Sequence, residues 1–190
     1  MSGDKKTVSE RNFQERFVRE LEKYRWVAPD DLDGNKQKVT VNDLIDYWRS
    51  ELNRINADML EGVALTDNEF QQVMAKVGQI DNSFEAAKIL AMEGSMGKID
   101  GIYRDDNPKI TRKQITLTIF KKAQVSGGDS SYTIAREVST PNGNRFDILL
   151  LINGLPLINI EQKRADKSLT EAFYQFKRYY GDGEYTNNFM

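Results

Sequence analysis

Neither cysteine nor histidine occurs in the 190 residues. Without cysteine there is no disulfide framework, no thiolate zinc site and no thiol nucleophile. Without histidine the chain loses the commonest general base and the commonest transition-metal ligand. Any catalysis falls to carboxylates, Lys, Tyr, Ser or Thr, and any metal is an oxygen-preferring one such as Mg2+. Long apolar runs are also missing, and none approaches the roughly 20 residues that span a bilayer. The opening "MSGDKKTVSE" has no apolar stretch of the signal-peptide kind, so a cytoplasmic location is the default expectation. No G-x-x-x-x-G-K-[ST] pattern is present, so an ATP-driven motor is not expected within these residues.

What is there suits a globular protein: 39% hydrophobic and 29% charged residues, enough to bury a core without cross-links. The net charge of −2 hides an asymmetry. Residues 109–180 carry 12 Lys or Arg against 6 Asp or Glu, and the rest carry 15 against 23. A basic half suits a polyanionic partner, although uneven surface charge also occurs without one.

The hydrophobic period changes midway. Residues 8–24 place Phe13, Phe17, Val18, Leu21 and Tyr24 at helical spacing behind a Ser9 cap. An Asp-rich polar link follows. Residues 40–43 open a helix carrying Leu44, Ile45, Trp48, Leu52 and Ile55, and residues 66–69 form a capping box before another that Gly78 stops. "SFEAAKILAMEG" reads as a further short helix. The first half, residues 1–95, is therefore expected to be mostly helical. In residues 96–190, "QITLTIF", "SYTIAREV" and the two halves of "FDILLLINGLPLINIEQKRA" read as a four-stranded sheet. A capping box at 168–171 then starts a last helix, reaching about Tyr180, that packs against it. On this helix Leu169, Ala172, Phe173, Phe176 and Tyr180 are the expected apolar face. No internal repeat or low-complexity segment appears.

The hairpin of residues 146–165 carries the chemistry. Alternation puts Leu157, Asn159, Glu161 and Lys163 on one face of its second strand. A strict two-residue Asn153-Gly154 turn sets Asp147 opposite Ile160, on the wrong face. A bulged or odd-length loop at Asn153 to Pro156 instead sets Asp147 opposite Glu161, and the chemistry requires that second register. Two carboxylates beside a lysine make a divalent-cation site with a charge stabiliser or water-holding group attached. The plainer alternative is a salt-bridged surface hairpin.

Asp147, the step to Glu161-Gln162-Lys163 and the intervening "INGLPL" resemble the PD-(D/E)xK nuclease signature. The hairpin as a whole resembles the nuclease domain of the restriction subunit of type I restriction-modification enzymes, as do "LIDYWRSELNRINADMLEGVALTDNEF" and "KIDGIYRDDN". Phe146 stands where the signature has proline, its loosest element. Gln175 and Tyr179, four apart on one helix face, match the Q-x-x-x-Y element that several such nucleases place beside the active site. They are expected to flank the core rather than fill it.

The resemblance implies an α/β fold, a PD-(D/E)xK restriction-endonuclease-like core with a mixed sheet flanked by helices behind the helical first half, together one nuclease domain. It implies a Mg2+-dependent DNA endonuclease. Asp147, Glu161 and the Gln162 backbone carbonyl would hold the metal. Lys163 would assist water attack, and Gln175 and Tyr179 would position the site or the DNA backbone. Related nucleases also supply an acid from their first helix, which makes Glu10 and Glu15 candidates. The implied partners are double-stranded DNA and the methyltransferase and specificity subunits. An ATP-dependent translocase would follow on a longer natural chain, of which "EYTNNFM" looks like an internal stop. The rivals are another PD-(D/E)xK recombination or repair nuclease, and a non-catalytic docking module of the same fold.

Overall fold

A computed structural model describes residues 10–80, 97–120, 128–162 and 169–184. The chain is mixed α/β. Its larger sheet has strand order β1-β4-β5-β6, from β1 (Val39–Thr40), β4 (Tyr132–Ser139), β5 (Arg145–Ile152) and β6 (Leu155–Ile160). β1 runs parallel to β4, and the other neighbours are antiparallel. A second sheet pairs β2 (Lys98–Tyr103) with β3 (Gln114–Thr118).

That arrangement corrects the expected single sheet. "QITLTIF" is a strand but belongs to the smaller sheet, with "KIDGIY", whose Gly101 takes φ 70 at an irregularity in the ladder. The fourth strand of the main sheet comes from the supposed polar link. Val27 and Asp33 bridge to Thr133 and Arg136, and β1 continues along Val138 and Ser139. The Asp-rich stretch hides this role because it supplies mainly backbone to the edge of β4: Val27 N–H donates to Tyr132 O at 2.9 Å, and Gly34 N–H to Arg136 O at 2.9 Å.

Three helices fall close to where periodicity and caps put them: α1 (Glu10–Glu22), α2 (Val41–Ile55) and α3 (Asp67–Val77). The box at the start of α3 closes reciprocally, Thr66 N–H to Glu69 Oε2 at 3.1 Å and Glu69 N–H to Thr66 Oγ1 at 3.2 Å. The Ser9 cap, the helix read over 83–94 and the Ser168 cap lie outside the described residues.

Helices cover both faces of the sheet. Ile134, Ile148 and Leu150 pack with Val18, Phe17 and Leu21 of α1. Ala135, Leu149 and Leu151, out of phase with them, join Leu44, Trp48 and Leu52 of α2 in the larger core cluster, which reaches α3 and the small sheet. Phe13 and Tyr24, expected on the buried stripe of α1, are exposed. Apolar cover from the sheet reaches Phe17, Val18 and Leu21 of α1. No helix among the described residues is long and apolar enough to cross a membrane.

The last helix, α4 (Leu169–Gly181), departs most from expectation. Phe173 and Tyr180 are exposed, while Tyr179 is 3% exposed and belongs to the core. Its ring meets Phe146 edge-on, with centroids 5.6 Å apart. The two described residues of the expected apolar stripe, Phe173 and Tyr180, thus lie outside the core. The side chains of Leu169, Ala172 and Phe176 lie outside the described set.

Candidate active site at the β5–β6 hairpin

The Asn153-Gly154 turn is the tight two-residue kind, with φ 52 and 81. It pairs Ile152 with Leu155 and Leu151 with Pro156. The extra residue that the chemistry requires is Leu157, inside the strand, after which Leu150 pairs with Ile158, Leu149 with Asn159 and Ile148 with Ile160. Continuing that register brings Glu161 opposite Asp147. The bulge therefore exists but one step beyond the expected loop. The turn has no room to grow, because a Cβ on Gly154 would lie 2.8 Å from Trp48 Cα. Asn153 is buried and clamped, accepting from Ser131 N–H at 3.0 Å and donating to Ile119 O at 3.0 Å. β6 is an edge strand with Leu157 exposed, so the additional residue is accommodated there.

Side chains and backbone lock the two acids differently. Asp147 Oδ2 accepts from Gln162 N–H at 2.7 Å. Glu161 Oε2 accepts from Gln175 Nε2 at 2.6 Å, and the same amide nitrogen donates to Tyr179 OH at 2.9 Å. Tyr179 in turn donates to Arg145 O at 2.8 Å, two residues before Asp147. The pair on α4 thus ties the end of β6 to the start of β5. Gln175 touches a site carboxylate directly. Tyr179 acts on the backbone from within the core, a correction to the expectation that it only flanks it. Lys163 lies outside the described residues.

Asp147 opens onto a cleft of about 240 Å³, lined also by Arg11, Gln14, Asn35, Glu137, Arg145 and Gln162. Glu161 is not in this lining; its carboxylate turns to α4. Of the two first-helix candidates, Glu15 fares differently from expectation. Glu15 pairs with Arg11 at 3.4 Å and Arg19 at 4.0 Å along the helix surface and does not line the cleft. The side chain of Glu10 is outside the described set. It is Gln14, 3% exposed, that reaches in, donating to Glu137 Oε1 at 2.9 Å and Asp147 O at 3.2 Å.

Glu137 and Gln14 are the residues that sequence reasoning missed. Glu137 sits between two ladder pairs, Arg136 with Ile148 and Val138 with Phe146, which puts it opposite Asp147. Its φ is 52, and around it the alternation breaks: Val138 and Phe146, in phase with Ile148, join the other core cluster. That reversal is what lets Asp147 share a cleft with α1. The register arithmetic used for the β5–β6 hairpin, applied to the preceding one, would have found Glu137. For Gln14 no local signal exists, since its partners lie 123 and 133 residues away.

The donor set suits a hard cation. Among the described residues no group of three or more His, Cys, Asp or Glu is placed to hold a metal. A cation here would rest on two carboxylates and the oxygens of Gln162, in keeping with the few protein carboxylates that Mg2+ takes. Gln162 is 6% exposed, and its Oε1 has no hydrogen-bond partner among the described residues, a buried acceptor ready for a ligand.

Residues 8–189 match the family described as type I restriction enzyme R protein N terminus. The endonuclease subunit of the type I restriction enzyme SauCOLORF180P of Staphylococcus aureus is 34% identical over 148 residues, 75% of this chain and 14% of that protein. The SsaAORF53P endonuclease subunit of Staphylococcus saprophyticus is 33% identical over 138 residues, 72% of this chain and 13% of that protein. The EcoprrI endonuclease subunit of Escherichia coli is 32% identical over 83 residues, 44% and 22% respectively. The chain therefore spans about one seventh of the length of the staphylococcal relatives.

Proposed function

The chain belongs to the family of type I restriction enzyme R protein N termini, and from that premise we propose that it is a Mg2+-dependent endonuclease domain of the PD-(D/E)xK kind. It hydrolyses DNA phosphodiester bonds within a restriction assembly in the cytoplasm. One observation supports the reading: the Leu157 bulge pairs Ile148 with Ile160, a register that, continued by one pair, sets Glu161 opposite Asp147.

In this proposal Asp147, Glu161 and the Gln162 backbone carbonyl hold the cation. When bound, Mg2+ supplies Lewis-acid stabilisation of charge developing on the phosphate oxygens. The chain's own residues set the stage. Gln175 holds the Glu161 carboxylate, removing the freedom of a long side chain at a strand end. Tyr179 pins the backbone of Arg145, which fixes the approach to Asp147. Lys163 contributes positive charge at phosphorus or holds the attacking water. Exposed Lys177 and Arg178 extend the positive surface along α4, where they meet the DNA backbone without reading sequence. The methyltransferase and specificity subunits, and an ATP-driven motor outside these residues, complete the assembly.

The test is Asp147→Ala, Glu161→Ala and Lys163→Ala, each in the complete assembly. DNA cleavage should fall by about a thousandfold or more, while ATP hydrolysis and subunit assembly persist. A mutant that cuts like the parent removes that residue from the site, and three such mutants place the chemistry elsewhere.

A further inference from the structure

We propose that Glu137, Asp147 and the Gln162 side-chain oxygen form a divalent-cation position on the cleft side of Asp147, with Glu137 a metal-holding carboxylate rather than a structural strut. The inference rests on the reading of Asp147 as a cation ligand and adds a carboxylate that the D…E-x-K pattern does not contain.

Four features converge on it. Glu137 stands opposite Asp147 across the β4–β5 ladder, and both line the same cleft. Its side chain is 15% exposed, so the carboxylate is largely withdrawn from water at the cleft wall. Its backbone is left-handed at φ 52, a conformation that costs a glutamate energy and persists only where the surroundings impose it. They do so here: a Cβ on Gly34 would clash with Glu137 O, so the loop after α1 is pressed against this peptide. Finally, Gln162 is more than nine-tenths buried, lines the cleft, and keeps Oε1 without a donor among the described residues.

A buried acceptor that lines the same cleft as two carboxylates asks for a cation or a strong donor. Two carboxylates and an amide oxygen are all hard ligands, the type that Mg2+, Mn2+ and Ca2+ take. Glu137 is at present engaged by Arg145 Nε at 2.6 Å and Gln14 Nε2 at 2.9 Å. Arg145 is 60% exposed, so its guanidinium can exchange Glu137 for solvent or a phosphate when a cation arrives. Gln14 stays, anchored by Asn35 Nδ2 at 3.1 Å, and keeps the carboxylate in place.

The experiment is titration of the purified chain with Mn2+ alone, read by the electron paramagnetic resonance of the free ion, with thermal melts as control. Glu137→Gln keeps the shape and an acceptor for Gln14 but removes the charge. Gln162→Met removes the unpaired oxygen at similar length. Both should weaken Mn2+ binding at least tenfold with the melting temperature held or raised. Parent-like affinity in both variants overturns the proposal and leaves the Asp147–Glu161 reading standing. If the parent binds no Mn2+, or Asp147→Asn binds as the parent does, that reading falls and this proposal with it. Should Glu137→Gln fail to fold, Gln162→Met alone decides, because removing a buried unpaired acceptor does not threaten the core.

Discussion

Glu69 and Glu137 are both withdrawn from solvent, in opposite kinds of surroundings. Glu69, in the first turn of α3, is fully buried and completely answered. Its carboxylate accepts from Arg104 Nε at 2.9 Å, Asp105 N–H at 2.8 Å and Thr66 N–H at 3.1 Å. Arg104 spends its other donors on Leu60 O and Val63 O. Glu137, on a left-handed residue of β4, shares its carboxylate with a solvent-exposed arginine and faces a cleft that also holds an amide oxygen lacking a donor among the described residues. One region spends its polar groups on closure; the other leaves an amide oxygen without a donor among the described residues. Strain and an acceptor without a donor among the described residues are tolerated at the hairpin end of the sheet, where the proposed chemistry lies.

The sharpest way to break that comparison is to remove one half of the closed network. Glu69→Ala leaves a buried guanidinium uncompensated and strips α3 of its capping carboxylate. It should cost about 3–5 kcal/mol of folding stability, seen as a lowered denaturation midpoint. A loss under about 1 kcal/mol would mean that the network behaves like a surface pair.

At the other end, Tyr179→Phe keeps the edge-on contact with Phe146 and removes only the hydroxyl between Gln175 and Arg145 O. Stability should fall by about 1 kcal/mol, and cleavage by the complete assembly by about tenfold, because the two strand ends lose their tie. Gln175→Ala should lower cleavage similarly with a smaller change in melting. Unchanged cleavage in both would reduce the pair to packing.

The smallest effect concerns acid. Thr111 Oγ, followed by the backbone N–H groups of Arg112 and Thr111, holds the Glu61 carboxyl down from 4.5 to about 2. Asp105 is lowered by Thr66 and Asn68, and Asp106 by Lys113. These groups bind protons less readily folded than unfolded, so their stabilisation is fully present above the unfolded carboxyl range. It is lost as pH falls from about 4.5 toward 2. Melting temperature should drop over that window, and Glu61→Gln should flatten part of the slope. A pH-independent melt below 4.5 would contradict the assignment.

Much of this division was legible beforehand. The capping box at Thr66 and Glu69, the stripe of Leu44, Trp48 and Leu52, and the strands of the β5–β6 hairpin all follow from patterns a few residues long. The acids of that hairpin were legible too, as was the need for a bulge between them. Its place was not: the tight Asn-Gly turn sits against Trp48, a hundred residues earlier, and the extra residue falls at Leu157. The apolar stripe of α4 misled for the same reason, because the core selected Tyr179 through Phe146 and left Phe173 and Tyr180 outside.

By itself the sequence determined the helices α1 to α4, the two strands of the β5–β6 hairpin, the exclusion of thiol and imidazole chemistry, and the two registers open to Asp147 and Glu161. Periodicity, caps and turn residues act over distances a local pattern can express. Only the tertiary structure decided that the polar link would edge the sheet and that Gln14 of the first helix would reach Asp147. Those placements come from contacts between segments more than a hundred residues apart, where the free energy lies in packing and hydrogen-bond satisfaction rather than in local propensity.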